Sequence, residues 1–158
     1  VNILLSEKLS LETSQYIARI SKGNIKNALD LTKENTIEER KALINYFFSL
    51  LGEEPKKLLI TDRSKALKLI TLWQSVLKDS LIIRATRSTR NIVNLDFKEK
   101  IISLSAELNF QDIFKIEKML ISSEEELSQI NVNVKSYISN LFYSIKEIGL
   151  DKIAEEDY

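Results

Sequence analysis

The segment from Ser64 to Arg87 constrains this chain more than any other. Read as one helix it is about 36 Å long at about 1.5 Å per residue. At 100° per residue, Leu69, Ile70, Trp73, Val76, Leu77 and Leu81 fall on one broad face, and Lys68, Thr71, Ser75 and Asp79 form a narrow polar stripe opposite. A helix so apolar must be surrounded on most sides, which predicts an all-α bundle packed around it, with Trp73 and Leu77 as core anchors. The pattern breaks near its C-terminal end. Ile82 lies in the polar stripe with Ile83 at its edge, while Arg84 and Arg87 lie on the apolar side. That end is expected either to leave the core or to meet a neighbouring chain, so Ile82, Ile83, Arg84 and Arg87 are the candidate interface residues.

Helical spacing also dominates the rest of the chain, where β-branched alternation is almost absent. Ser10 predicts a helix start before Leu11, Tyr16, Ile17 and Ile20, with Gly23 as its stop. Asn24 predicts a second cap ahead of Ile25, Ala28 and Leu29. Thr36 and Glu39 read as a capping box for a helix carrying Leu43, Ile44, Phe47, Leu50 and Leu51 and stopping at Gly52. Pro55 suits the first turn of a short helix to about Thr61. After the central helix, residues 87–95 read as a polar loop. Asp96 and Glu99 then open a helix with Ile101, Leu104, Ser105 and Leu108. Asn109 marks a break, followed by a long helix whose seam runs through Ile116, Leu120, Ser123, Leu127 and Ile130. Asn131 to Asn133 form a turn and cap. The last helix gathers Val134, Tyr137, Ile138, Leu141, Phe142, Ile145 and Ile148 on one face, which makes Ile138, Leu141 and Phe142 further core anchors. Gly149 is read as its stop, with the acidic tail from Asp151 to Tyr158 fraying.

With all three glycines used as helix stops, none remains for a phosphate-cradling loop. The chain has no cysteine and no histidine, which excludes disulfides, thiolate zinc sites and Cys–His or Ser–His nucleophiles. The acidic pairs Glu38–Glu39, Glu53–Glu54 and Glu124–Glu126 are read as helix-dipole and solvated groups. No catalytic residue, metal site, cofactor or small-molecule substrate is therefore expected. No apolar run reaches the roughly 20 residues of a membrane span, no signal peptide is visible, and a cytoplasmic protein is the simplest reading. Val1 in place of an initiator methionine is read as the start of a fragment or a processed product. Net charge is zero, but residues 1–90 hold 16 Lys/Arg against 10 Asp/Glu and residues 91–158 hold 7 against 13. Such asymmetry gives two differently charged faces, or orients neighbours in an assembly.

Two regions resemble a known family. Residues 17–31, IARISKGNIKNALDL, resemble the close of the lid domain in AAA+ clamp-loader subunits, with its A-x-x-S-x-G-(S/N)-x-x-x-A-L pattern. TLWQSVLKDSLI (71–82) and INVNVKSYISNLF (130–142) resemble the C-terminal collar of the bacterial DNA polymerase III delta-prime subunit. Trp73, Lys78 and Asp79 follow that family's W-x-x-(L/V)-x-(R/K)-D patch with one extra residue in the spacing. Asn131 and Asn133 follow its N-x-N-x-x-L turn, with Tyr137 or Ile138 near the leucine.

The resemblance implies the last part of an AAA+ lid over residues 1–35 and a collar of five to six helices over residues 36–158. In that family the collars of five subunits form a ring, through which the AAA+ modules are held as they open the sliding clamp and place it on primed DNA. Other clamp-loader subunits would then be the direct partners, with clamp and DNA met only indirectly and no membrane involved. Delta-prime members typically do not hydrolyse ATP. The same region of the ATPase sibling subunit is the nearest alternative, and an unrelated helical adaptor is the other. Lys26 occupies the position where ATPase members carry a phosphate-sensing arginine, so it is the single candidate nucleotide-binding residue beside the reading of a solvated surface lysine. Arg84, Arg87 and Arg90 step along and past the end of the central helix. Carboxylate pairing is expected of them ahead of DNA contact, because no aromatic residues interleave for stacking.

Overall fold

The structure, a computed structural model, describes residues 9–22, 24–51, 60–129 and 132–156. Seven α-helices are seen among them and no strand: α1 (Leu11–Ser21), α2 (Ile25–Leu31), α3 (Glu34–Leu50), α4 (Arg63–Thr86), α5 (Lys98–Glu107), α6 (Phe110–Ser128) and α7 (Val134–Glu156). A single 3₁₀ turn, Leu95–Phe97, leads into α5. The all-α reading holds.

Helix α4 is the axis. Its N-terminus is fixed by Asp62, whose side chain accepts from the Lys65 amide at 2.8 Å, and it packs against α3, α5, α6 and α7. Leu69, Ile70, Trp73, Val76 and Leu77 are each 0% exposed. Trp73 donates its indole N–H to the Leu43 carbonyl at 2.9 Å. Its ring centroid lies 5.0 Å from Phe47 on α3 and 5.5 Å from Phe142 on α7. Tyr46 closes the group 4.9 Å from Phe142. A buried indole with its polar edge satisfied joins three helices at one point, and each such apolar side chain contributes about 1.5–3 kcal/mol of transfer free energy. Ile138, Leu141 and Phe142 are buried in the same cluster.

Local chemistry sets the helix boundaries. Ser10 Oγ accepts from the Thr13 amide and Asn24 Oδ1 from the Asn27 amide. Asn109 and Asp112 form a reciprocal capping box at the start of α6, and Asn133 accepts from the Ser136 amide at the start of α7. The box expected from Thr36 and Glu39 is absent. Helix α3 begins at Glu34 after Lys33, with no side-chain cap, and Glu39 instead pairs across to Lys68 on α4. Gly149 is no stop, because α7 runs through it to Glu156. There a Cβ would lie 3.0 Å from both the Cα and the carbonyl oxygen of Leu51, so the glycine lets the two backbones approach. The stops expected at Gly23 and Gly52, the short helix after Pro55, and Ile130 and Asn131 lie outside the described residues.

Helices α1 and α2 carry a second, smaller cluster. Tyr16, Ile17 and Ala28 are buried with Ile37 of α3, and Leu31 and Val93 pack at its edge. This two-helix unit leans on α3 and on the turn before α5.

Candidate interaction surface and the joint behind it

The end of α4 is where sequence and structure part most. Asp79, placed by the sequence in the narrow polar stripe opposite the apolar face, is 1% exposed. Its carboxylate accepts from the Val93 amide at 2.9 and 3.0 Å, from the Asn94 amide at 2.7 Å and from the Asn94 side chain at 2.8 Å. A buried charge is tolerated when several donors converge on it, and here they come from the 87–95 segment folding back over the helix. Ser75 of the same stripe accepts the other Asn94 side-chain N–H at 2.9 Å. The network continues outward. Asn94 Oδ1 accepts from Arg40 at 2.7 Å, and Arg40 grips both oxygens of Asp96 at 2.5 and 3.1 Å. The Arg40 guanidinium lies 3.5 Å from the Tyr16 ring centroid and 5.2 Å from that of Phe97. Burial pushes the Tyr16 hydroxyl's pKa up, and the neighbouring Arg40 offsets part of that rise. Arg19 of α1 donates to the carbonyls of Ile92 and Arg90. One buried polar chain thus joins α3, α4 and the turn before α5, and α1 is tied to it by the Tyr16 ring under Arg40 and by the exposed Arg19.

Ile83 is 7% exposed and belongs to the chain's own core, which corrects its assignment to an interface. Ile82 is half-buried against that core. Arg84 finds no carboxylate among the described residues. It donates to the carbonyls of Ser105 and Leu108 at 2.5 and 2.9 Å, tying the end of α5 to α4, and it sits 5.2 Å from the Phe110 ring centroid. Arg87 takes a left-handed backbone (φ 55°) as the cap of α4, its amide donating to the Ile83 carbonyl at 2.7 Å. The side chains of Arg87 and Arg90 are exposed. Lys26 stands exposed on α2, a helix of only 7 residues. Among the described residues, no group of three or more acidic side chains is placed to hold a metal ion. Among the same residues, no helix is long and apolar enough to cross a membrane.

A surface that the sequence reading did not single out lies on α6. Phe110, Phe114 and Ile121 are 46%, 60% and 46% exposed. At i, i+4 and i+11 they fall within about 40° of one another, about 120° from the face that buries Ile113, Ile116, Leu120 and Leu127. Glu117 lies between them on the same strip. One of its carboxylate oxygens is buried with no hydrogen-bond partner, and burial together with repulsion from Glu124 raises its pKa above the usual carboxylate value. The signal was present in the sequence as a second apolar strip beside the stronger core seam.

The described residues form an all-α bundle with an exposed apolar strip on α6. Residues 34–146, more than two thirds of the chain, match the family described as DNA polymerase III, delta subunit, C terminal. The chain belongs to that family, and so is a clamp-loader-related subunit domain of the replication machinery. Comparison with curated proteins gives no match.

Proposed function

We propose that this chain is the assembly module of a delta-prime-like clamp-loader subunit. Residues 1–35 would be the end of an AAA+ lid and residues 36–158 a collar that joins neighbouring subunits. The observation that carries this reading is the place where the family match begins. Residue 34 is the first of α3, where the two-helix unit with its own apolar cluster gives way to the bundle. A lid fragment leaning on a collar would divide there. Arg19, bonded to the Ile92 and Arg90 carbonyls, and the Tyr16 ring packed on the Arg40 guanidinium would then fasten one part to the other. On this reading the chain is not an enzyme, takes no cofactor and works in the cytoplasm. It meets DNA and the clamp only through its partner subunits. Lys26 has no nucleotide role, and calorimetric titration of the chain with ATP should show no micromolar binding.

The delta subunit itself is the second reading, favoured by the name of the matched family. Reconstitution separates the two. A delta-prime-like chain co-elutes on size exclusion with the ATPase subunits and delta, and fails to replace delta in a mixture that already contains delta-prime. The reverse pattern would make it delta, and elution alone in both mixtures would remove the assembly role.

A further inference from the structure

We propose that the outward face of α6 built from Phe110, Phe114 and Ile121 docks a helix of a neighbouring polymerase III subunit, one presenting apolar side chains and a Lys or Arg against Glu117. This rests on the assembly reading above and names the surface and the chemistry of its partner.

Single exposed apolar residues are ordinary on a protein surface. Three large ones in register on one helix, over about 16 Å, form a continuous strip of the kind that marks a protein contact. The bundle does not need them, since α6 already buries its other face against the core. Spacing at i, i+4 and i+11 is also that of anchors that meet a partner helix.

Charge selects the partner. Glu117 is held within the strip, half-buried, with one carboxylate oxygen shielded from water and unpartnered, so its charge is costly and a counter-charge beside its outer oxygen would be stabilising. Glu124, Glu125 and Glu126 follow about two turns on, the first two within about 60° of the strip, and all three are exposed. Among the described residues no Lys or Arg forms an ion pair with any of these four carboxylates. Glu124 accepts from Gln74, and Glu126 from Ser122 with Tyr137 also beside it, all of them neutral groups. A cationic group from outside would meet the outer, accessible oxygen of Glu117 and relieve the repulsion between Glu117 and Glu124. The strip is also preorganised. The Asn109–Asp112 capping box fixes the start of α6, and Arg84, bonded to the Ser105 and Leu108 carbonyls, lies by Phe110. Little ordering is therefore left for binding to require.

The test is affinity of the whole chain for the purified clamp-loader subunits it co-elutes with, measured by interferometry with melting midpoints in parallel. Phe114→Ser with Ile121→Ser should leave the midpoint nearly unchanged and weaken binding about tenfold or more, as truncation of interface anchors does. Glu117→Lys should weaken it comparably. Wild-type affinity should fall as salt rises, whereas Tyr143→Ser on α7, where the tyrosine is 71% exposed, should change nothing. Wild-type affinity in the folded double variant would overturn the inference and leave the assembly role standing. Failure of the wild-type chain to bind any subunit would overturn both. Sedimentation of the chain alone checks the other occupant, since self-association abolished by the double variant would make the partner a second copy and overturn the one proposed.

Discussion

Removing the Asp79 carboxylate should disconnect the end of α4 from the segment folded over it. In Asp79→Ala three buried or half-buried donors lose their acceptor: the amides of Val93 and Asn94 and the Asn94 side chain. Each unsatisfied buried group costs about 1–3 kcal/mol, and water entering the gap recovers part of it. The net loss should be about 3–5 kcal/mol, the lower part of that three-donor total. That is a large share of the 5–15 kcal/mol typical of a whole domain. Asp79→Asn keeps one acceptor oxygen but turns an NH₂ toward incoming donors, so it should lose less, about 1–3 kcal/mol. Urea melts followed by fluorescence of the single tryptophan, Trp73, report global stability. Hydrogen exchange at Val93 and Asn94 reports the local release, which should be faster in both variants. If Asp79→Ala loses less than about 1 kcal/mol and both amides stay protected, the carboxylate does not hold the segment, and this reading of the joint fails.

Trp73→Ala should lose about 3–5 kcal/mol in melts followed by circular dichroism, as for a large aromatic at the centre of a core, and a loss below about 1 kcal/mol would displace α4 as the axis. Gly149→Ala, stabilising by about 0.5–1 kcal/mol in an unobstructed helix, should be destabilising here because the new methyl meets the Leu51 backbone at 3.0 Å; a raised melting midpoint would refute the close approach. Glu117 should give a pH signature. Its pKa is raised in the folded state, so above the unfolded value of about 4.3 the native form retains a proton that the unfolded chain has lost, and stability falls as pH rises through that window. Glu117→Gln should therefore gain on the wild type in melts as pH rises from about 4 to 7, and a constant difference would refute the burial of that carboxylate.

Much of the fold was legible in the chain because helical periodicity is a local signal. The caps at Ser10, Asn24 and Asn133 and the apolar face around Trp73 need only neighbouring residues to be read. What escaped depends on groups far apart in sequence. Asp79 falls in the polar stripe of a helical wheel, and only the return of residues 92–94 supplies its donors. Arg40 reads as a surface arginine until Asn94, Asp96 and Tyr16 close around it. Gly149 resembles a helix stop, since nothing local reveals that Leu51 passes beside it. The isoleucines at the end of α4 were assigned outward because their own helix gave them no partner. The folded chain buries Ile83 and half-buries Ile82. The exposed strip on α6 was overlooked for the opposite reason, being a weaker period on a helix whose core seam dominates.

The central claim, that this bundle joins clamp-loader subunits into one assembly, is tested most directly by native mass spectrometry. The chain would be mixed with purified ATPase subunits and delta at micromolar concentration. One copy of the chain in a single assembly with those subunits, stable through dilution to nanomolar concentration, is the expected result. A spectrum holding only the free chain beside an assembly of the other subunits would contradict it.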